Sequence, residues 1–398
     1  MKKFFTLLLA AVMAVGCFTF VACTAKENDE FKVGFIFLHD EASTYDLNFI
    51  EAAKDVAKEL GLKESQVILK ANVPEGNECY DTAAELADAG CSLVFADSFG
   101  HEDYLIKAAK EFPNVQFYHA TGTRAHTEKL ANYHNAFAAI YEGRYLAGIA
   151  AGMKLNEMIE AGKFNAEEAK MGYVGAFPYA EVVSGYTSFY LGAKSVCPTV
   201  TMEVKYTNSW YNLDSEKATA LSLINNGCKL ISQHADSLGA PSACEEKKVP
   251  NVSYNGSTQA AGPNTYIVSS KINWRPYFKM IIEAAKNGTT VPYDWTGTIE
   301  TDSVQILELN TAVAAEGTQA AIDAAVAQFK AGTLHVFDTS KFTVKGETLT
   351  TYLADVDDDG TFTGETEAIK DGYFHESEYR SAPYFDLRID GITENFAN

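Results

Sequence analysis

A rhythm of short apolar runs, each followed by a helical stretch, constrains this chain most, because few packings accommodate it. Val33–Leu38 reads as a buried strand by its unbroken apolar character. A helix is predicted from Leu47 to about Leu60, closed by Gly61. Val67–Val73 is the second strand, Tyr80–Ala89 a helix ending at Gly90, and Ser92–Ala96 the third strand. Tyr104–Phe112 carries Leu105, Ile106, Ala109 and Phe112 at helical spacing, and Val115–His119 is the fourth strand. A long helix over roughly Ala138–Met153 ends the series. The rhythm then restarts, with strands at Met171–Ala176, Met202–Tyr206, Lys229–Gln233 and Val252–Tyr254, and helices at Glu181–Lys194 and Glu216–Asn226. Such alternation predicts an α/β chain with doubly wound parallel sheets, and its repetition predicts two similar lobes. Thr265–Ser270 and a helix over Tyr277–Lys286 are expected to return the chain toward the first lobe. A strand at Val304–Leu309 and a helix over Thr318–Lys330 follow; from Asp338 onward no periodicity is evident, and extended C-terminal packing is expected.

The N-terminus carries a different signal. Lys2 and Lys3 precede an apolar stretch, Phe4–Val21, which breaks into polar Thr24–Asp29. Length alone would allow a membrane span. Position, the leading lysines and the small residue before a cysteine fit an export signal over 1–22 better. Phe20-Val21-Ala22-Cys23 resembles a bacterial lipobox, which makes Cys23 the expected lipidation site; Ala14-Val15-Gly16-Cys17 is a rival. The roughly 370 residues that remain exceed one ordinary core and suit two lobes.

The formal net charge of −21 argues against nucleic acid and polyanionic ligands and suits a neutral or weakly charged small molecule. Besides Cys17 and Cys23, Cys79, Cys91, Cys197, Cys228 and Cys244 are odd in number and form no CxxC pair, so buried free thiols are expected.

Ligands of open α/β sheets bind beyond the carboxyl ends of the strands, which directs attention to the strand exits. These hold Asp40, Tyr45 and Asp46 after the first strand, Ser98 and Phe99 after the third, then Phe177, Trp210, Asp236 and Asn255 in the second series, with Trp274 in a crossing segment. Aromatics beside carboxylates and amides fit a planar polar ligand, with rings stacking on it and Asp or Asn reading its edges or sugar hydroxyls. Each has a plainer alternative. Trp210 and Trp274 would serve equally as core or hinge packing, Tyr45 could pack on the following helix, and Asp236 could cap a helix starting near Leu238. His119 and His234 stand at strand ends, where imidazoles commonly satisfy backbone groups. No HExxH, GxSxG, P-loop or early GxGxxG signature occurs, so no catalytic residue, metal or cofactor is assigned. Asp355-Val-Asp-Asp-Asp-Gly360 matches the start of a calcium loop, but Thr366 stands where an EF-hand needs Glu, and a solvated acidic turn is the favoured reading.

Several runs carry a family resemblance: Val33-Gly-Phe-Ile-Phe, Tyr141-Glu-Gly-Arg-Tyr-Leu-Ala-Gly-Ile-Ala-Ala-Gly-Met153, Gly172-Tyr-Val-Gly-Ala-Phe-Pro178 with Glu181-Val182, Thr207-Asn-Ser-Trp210 and Gln233-His-Ala-Asp-Ser237. Over about Lys32–Lys330 the chain resembles the basic membrane protein family of ABC-transporter substrate-binding lipoproteins, which includes purine nucleoside receptors. The resemblance implies a type I periplasmic-binding-protein fold, two lobes joined by a three-crossover hinge, and a ligand clamped between them. It implies a nucleoside or purine ligand, an ABC permease partner, and a lipid anchor on the extracytoplasmic membrane face. Tyr45-Asp46 takes the place of the family's first-loop aromatic, a departure from the usual pattern; Asp236 resembles its sugar-hydroxyl aspartate, and Trp210 and Trp274 match its tryptophans. The expected organisation is a leader (1–22), a lipidated linker (23–31), lobe 1 (32–155 and 271–300), lobe 2 (156–270 and 301–337) and a C-terminal extension across the lobes (338–398). A sugar or signalling ligand, or a tethered sensor without its own permease, is the alternative.

Overall fold

The computed structural model describes residues 31–357, 361 and 363–395; the export signal, Cys17, Cys23 and part of the acidic turn lie outside the described residues. The first body is built from β1 (Lys32–Ile36), α1 (Thr44–Glu59), β2 (Val67–Lys70), α2 (Asn77–Asp88), β3 (Cys91–Ala96), α3 (Glu102–Glu111), β4 (Gln116–Ala120), α4 (Ala125–Glu128) and β5 (Tyr133–Ala138). The second contains α5 (Ile140–Glu160), β6 (Lys170–Gly175), α6 (Ala180–Val196), β7 (Thr201–Tyr206), α7 (Leu213–Asn225), β8 (Leu230–Gln233), α8 (Gly239–Lys247), β9 (Asn251–Tyr254) and β10 (Tyr266–Ile272). The chain then returns through α9 (Arg275–Asn287) and β11 (Asp294–Gly297) to the first body, and through β12 (Val304–Ile306) and α10 (Thr318–Lys330) to the second.

The sheet orders are β11-β5-β4-β3-β1-β2 and β12-β10-β9-β8-β6-β7, the latter extended by a C-terminal strand, Ile392–Asn395, beside β7. Within these two sheets all pairings are parallel except β10 with β12. The run β2-β1-β3-β4-β5 repeats as β7-β6-β8-β9-β10, so the doubled rhythm folds as two doubly wound sheets of one topology. Helices cover both faces of each sheet, which is why the strands read as continuous apolar runs. In the first body, Phe49 and Ile50 of α1 meet Phe278 and Ile281 of α9 on one face, while Leu86 of α2 and Leu105 of α3 fill the other.

Three differences from the predicted elements have physical causes. β5 went unpredicted because His134 and Asn135 interrupt its apolar run, although every residue in it is buried. β10 remains in the second sheet, paired with β9, so the return begins only after it. Helix α5, assigned largely to lobe 1, packs instead on α6 and β10. Its glycines explain the fit: a Cβ on Gly148 would lie 2.0 Å from the Phe189 carbonyl oxygen, and one on Gly192 would lie 2.0 Å from that of Tyr145. The Gly-rich run thus lets two helix backbones touch.

The chain crosses between bodies at Ala139, at Asn273–Trp274 and at Thr298–Ser303. The crossings are bonded to one another: Ala139 N donates to Gly297 O at 2.7 Å, Asn273 N to Ser303 O at 2.8 Å, and Ile299 N to a Glu142 carboxylate oxygen at 2.8 Å. All five cysteines among the described residues are buried and free.

Candidate functional site

Strand order reverses between β1 and β3 in one sheet and between β6 and β8 in the other. Loops leaving these switch points meet across a cleft whose cavity has about 360 Å³ of free space, counting its opening to solvent. The first body contributes Leu38, His39, Tyr45 and Asp46 after β1, Ser98 and Phe99 after β3, and Thr121 after β4. The second contributes Glu181 after β6, Trp210 after β7, and His234 with Asp236 after β8. The bodies are in direct contact here. Thr44 donates to the Asp236 carbonyl from its N–H at 3.0 Å and its hydroxyl at 3.2 Å, and the rings of Phe99 and Tyr179 lie 5.4 Å apart.

Local sequence fixes the polar groups. Ser43 caps α1, accepting from Asp46 N at 3.2 Å, and its hydroxyl donates to Asp46 Oδ2 at 2.6 Å. His39 N donates to Asp46 Oδ1 at 2.7 Å. Burial opposes ionisation of Asp46, but these bonds from His39 and Ser43 outweigh it and hold the carboxyl below its ordinary range. Behind it, Asp97 accepts from Leu38 N and, through its carbonyl, from the Tyr45 hydroxyl at 2.7 Å. Burial first, and then the neighbouring Asp46, push the Asp97 carboxyl well above its ordinary value. Asp236 is raised likewise by burial, then by Asp46, Glu216 and Glu181, with Asn255 Nδ2 donating to it at 3.4 Å. His234 Nε2 lies 3.4 Å from Glu181. Among the described residues no lysine or arginine lines the pocket, so its polar face is acceptor-rich and suited to a ligand bearing hydroxyl or N–H donors.

The predicted residues divide into three groups. Tyr45, Asp46, Ser98, Phe99, Trp210 and Asp236 line the cavity. Phe177 and Asn255 stand one layer back: the Phe177 ring packs edge-on against Trp210 at 5.0 Å, and Asn255 buttresses Asp236. Asp40 and Trp274 lie elsewhere. Asp40 closes a turn, accepting from Ala42 N at 3.0 Å and Asn72 Nδ2 at 3.2 Å. Trp274 is 1% exposed and stacks on Phe49 at 4.4 Å inside the first core, the packing alternative for this residue. Leu38, His39, Thr121, Glu181 and His234 were not singled out as ligand residues, yet they face the cavity. Their signal was position at a strand exit and, for Glu181 and His234, a place in the runs that carry the family resemblance. His119 does satisfy a backbone group, with Nε2 2.7 Å from Ser98 O.

Outside the cleft, Asp355, Asp357 and Glu365 bring carboxylate oxygens within 4.8 Å of one another, the one such acidic group among the described residues. Asp358, Asp359 and Gly360 of the calcium-like motif lie outside them. No described helix is long and apolar enough to cross a membrane.

Comparisons with known proteins agree with this geometry. Residues 36–330 match the family model for PnrA-like ABC transporter substrate-binding proteins. A purine-binding protein of Brucella abortus is 33% identical over 268 residues, spanning 67% of this chain and 71% of the relative. A putative ABC transporter glucose-binding protein of Haloferax volcanii is 32% identical over 217 residues, covering 54% of this chain and 52% of the relative. Solved solute-binding proteins from Aeropyrum pernix and Conexibacter woesei superpose with TM-scores of 0.65 and 0.61 at 15% and 21% identity. They cover 80% and 77% of this chain and 94% and 98% of their own, and their likeness identifies the periplasmic-binding-protein fold. The family match spans most of the chain and includes both sheets and the cavity between them, and the chain belongs to the PnrA-like family of ABC transporter substrate-binding proteins.

Proposed function

We propose that this substrate-binding protein captures a purine nucleoside or nucleobase between its lobes and delivers it to an ABC permease. The observation that carries the reading is the pocket wall: the rings of Tyr45, Phe99 and Trp210 stand with the carboxyls of Asp46 and Asp236, and no lysine or arginine is among the described residues that line it. Aromatic faces suit a purine ring, with base stacking worth about 1–3 kcal/mol. Asp236 suits vicinal ribose hydroxyls, whose donors favour an ionised acceptor. The purine-binding relative from Brucella abortus supports the same ligand class. Delivery follows if the permease recognises the closed form, which ligand stabilises by binding it better than the open one. The protein works at the extracytoplasmic face, anchored through lipid on Cys23, and no catalytic step is assigned to it.

Thermal shift with guanosine, inosine, adenosine, guanine and glucose tests the ligand, alongside mass spectrometry of small molecules retained by gently purified protein. Stabilisation by a nucleoside or base is expected; a response to none of the purines would sink the assignment. Stabilisation by glucose alone would favour a sugar, the second reading, to which the Haloferax volcanii relative points. Intact-mass analysis of the membrane fraction, with Cys23→Ser as control, tests the anchor. A mature protein without a lipid-modified Cys23 would refute it.

A further inference from the structure

The segment after α10 lies beyond the family match, which ends at residue 330. Its attachment to the two bodies is unequal. Phe337, Phe342, Phe374, Phe385, Leu387 and Ile389 all enter the core of the second body, whereas the core clusters of the first body contain no side chain from 331–395. Its last strand joins the sheet edge, with Ile392 opposite Met202 and Asn395 opposite Lys205. The Tyr186 hydroxyl donates to Glu394 Oε1 at 2.9 Å, and Asn395 Nδ2 to Glu203 Oε1 at 2.9 Å. On this side the segment is part of the second lobe's fold.

Its hydrogen bonds to the first body among the described residues include a polar cluster at the sheet edge. Ser381 N donates to Asp294 Oδ2 at 2.7 Å, the Ser381 hydroxyl bonds the other oxygen of Asp294, and Asn135 Nδ2 donates to Ser381 Oγ at 2.9 Å. Thr296 Oγ1 adds one bond to the Ser377 carbonyl at 3.2 Å. These partners sit on β5 and β11, at the edge of the first sheet. Asn135 Oδ1 also accepts from Gly122 N, which ties the same point to the loop bearing Thr121 of the ligand pocket.

Between the two attachments the segment roofs a second cavity, with about 940 Å³ of free space including its opening. Arg380, Tyr384 and Arg388 of the segment form one wall; Phe99, Thr121 and Glu181 line both this chamber and the ligand pocket. The chamber is therefore the vestibule of the cleft.

We propose that the described residues of 338–395 are a strap fixed to the second lobe and latched to the first at Asp294, Asn135 and Ser381, and that the latch governs how far the cleft opens and how fast ligand exchanges through the vestibule. A strap anchored by apolar core on one side and by a few hydrogen bonds on the other detaches at the polar end first, because each such bond contributes little net free energy in water. Opening the lobes pulls Ser381 away from Asp294, so the closed form gains the latch in addition to its ligand contacts.

The test needs no ligand for its main arm, which separates it from the nucleoside assignment on which the exchange arm rests. Spin labels at Lys58→Cys and Asp214→Cys, both exposed and on opposite bodies, report the interlobe distance in ligand-free protein. Wild type should give one narrow distribution; Ser381→Ala and Asp294→Asn should each add a longer distance. The second variant keeps the shape of the carboxyl and guards against misfolding of the first, with the thermal midpoint as the folding check. In stopped flow, guanosine should leave the variants about five- to tenfold faster, the effect of losing one or two net hydrogen bonds. Distance distributions identical to wild type in both folded variants would overturn the strap. A broad distribution already present in the wild type would do the same.

Discussion

Replacing Asp236 with Asn should weaken ligand binding and stabilise the empty protein, two effects of opposite sign. Asp236 is 5% exposed, its carboxyl lies near Asp46, Glu216 and Glu181, and it accepts from Asn255 Nδ2 at 3.4 Å. Burial, then those carboxylates, raise its pKa well above the ordinary value. A carboxyl raised on folding binds more protons in the native state than in the unfolded chain at any pH above its unfolded value. Its contribution to stability is thus unfavourable at neutral pH and fades as pH falls through the raised pKa toward the unfolded one. A neutral amide at this position would carry no such penalty, so the empty Asp236→Asn variant should melt higher than wild type at pH 7.5, and the gap should narrow toward pH 4. Ligand hydroxyls, by contrast, donate best to the ionised carboxylate. A hydrogen bond to a charged group is worth about 1.5–3 kcal/mol, which predicts a Kd for guanosine weaker by about 10- to 150-fold in Asp236→Asn. Wild-type affinity should rise with pH up to the raised pKa and then level off, while the variant's affinity stays flat. Scanning fluorimetry of the empty proteins and titration calorimetry with guanosine, each across that pH range, provide the measurements. A variant that melts lower than wild type at pH 7.5 and binds guanosine unchanged would show Asp236 to be a structural group and refute the reasoning.

Trp210→Ala should weaken guanosine about 5- to 150-fold, the equivalent of one lost stacking contact, with little change in melting, because the ring is only partly buried; calorimetry beside a melting curve separates the two. Trp274→Ala should do the reverse. Removing a fully buried indole from between Phe49, Phe95 and Phe278 should cost about 3–5 kcal/mol of stability in a denaturant titration while the folded fraction keeps its affinity. Gly148→Val should destabilise by more than the roughly 1–3 kcal/mol usual for overpacking, since its Cβ would meet a backbone carbonyl rather than a movable side chain; an unchanged urea midpoint would show that the α5–α6 contact can relax.

Much of the fold was legible because each βα unit leaves a local trace. Buried parallel strands such as Val33–Ile36 are continuous apolar runs, and helices such as α2 end at a glycine with positive φ, Gly90. β5 left no such trace. Asn135 is fully buried yet polar, since its side-chain oxygen takes the Gly122 amide and its nitrogen reaches Asp294 and Ser381, partners that only the tertiary structure supplies. The lobe assignment of α5 failed for a related reason: the Gly and Ala residues that let it approach α6 look the same in sequence whichever lobe they serve.

The site was legible to the extent that function follows topology. A strand exit is visible in sequence, and the switch-point rule singles out the loops after β1, β3, β6 and β8, where nine of the eleven cavity residues lie. Which way a side chain turns within such a loop is settled by its neighbours. Asp46 faces the cleft because Ser43 and the His39 amide hold it there, while Asp40, six residues earlier, turns toward Ala42 and Asn72 to close the loop. Trp210 and Trp274 look equivalent as tryptophans close to asparagines in the sequence. One leaves β7 at a carboxyl end and meets the ligand space; the other starts a helix that packs onto the back of the first sheet, where an indole fills core volume. Residue type therefore proposes the chemistry, but the strand end and the local hydrogen bonds decide which of several identical residues performs it. On that argument Glu181 and His234, 3.4 Å apart at the second switch point, line the cavity where Asp40 and Trp274 do not.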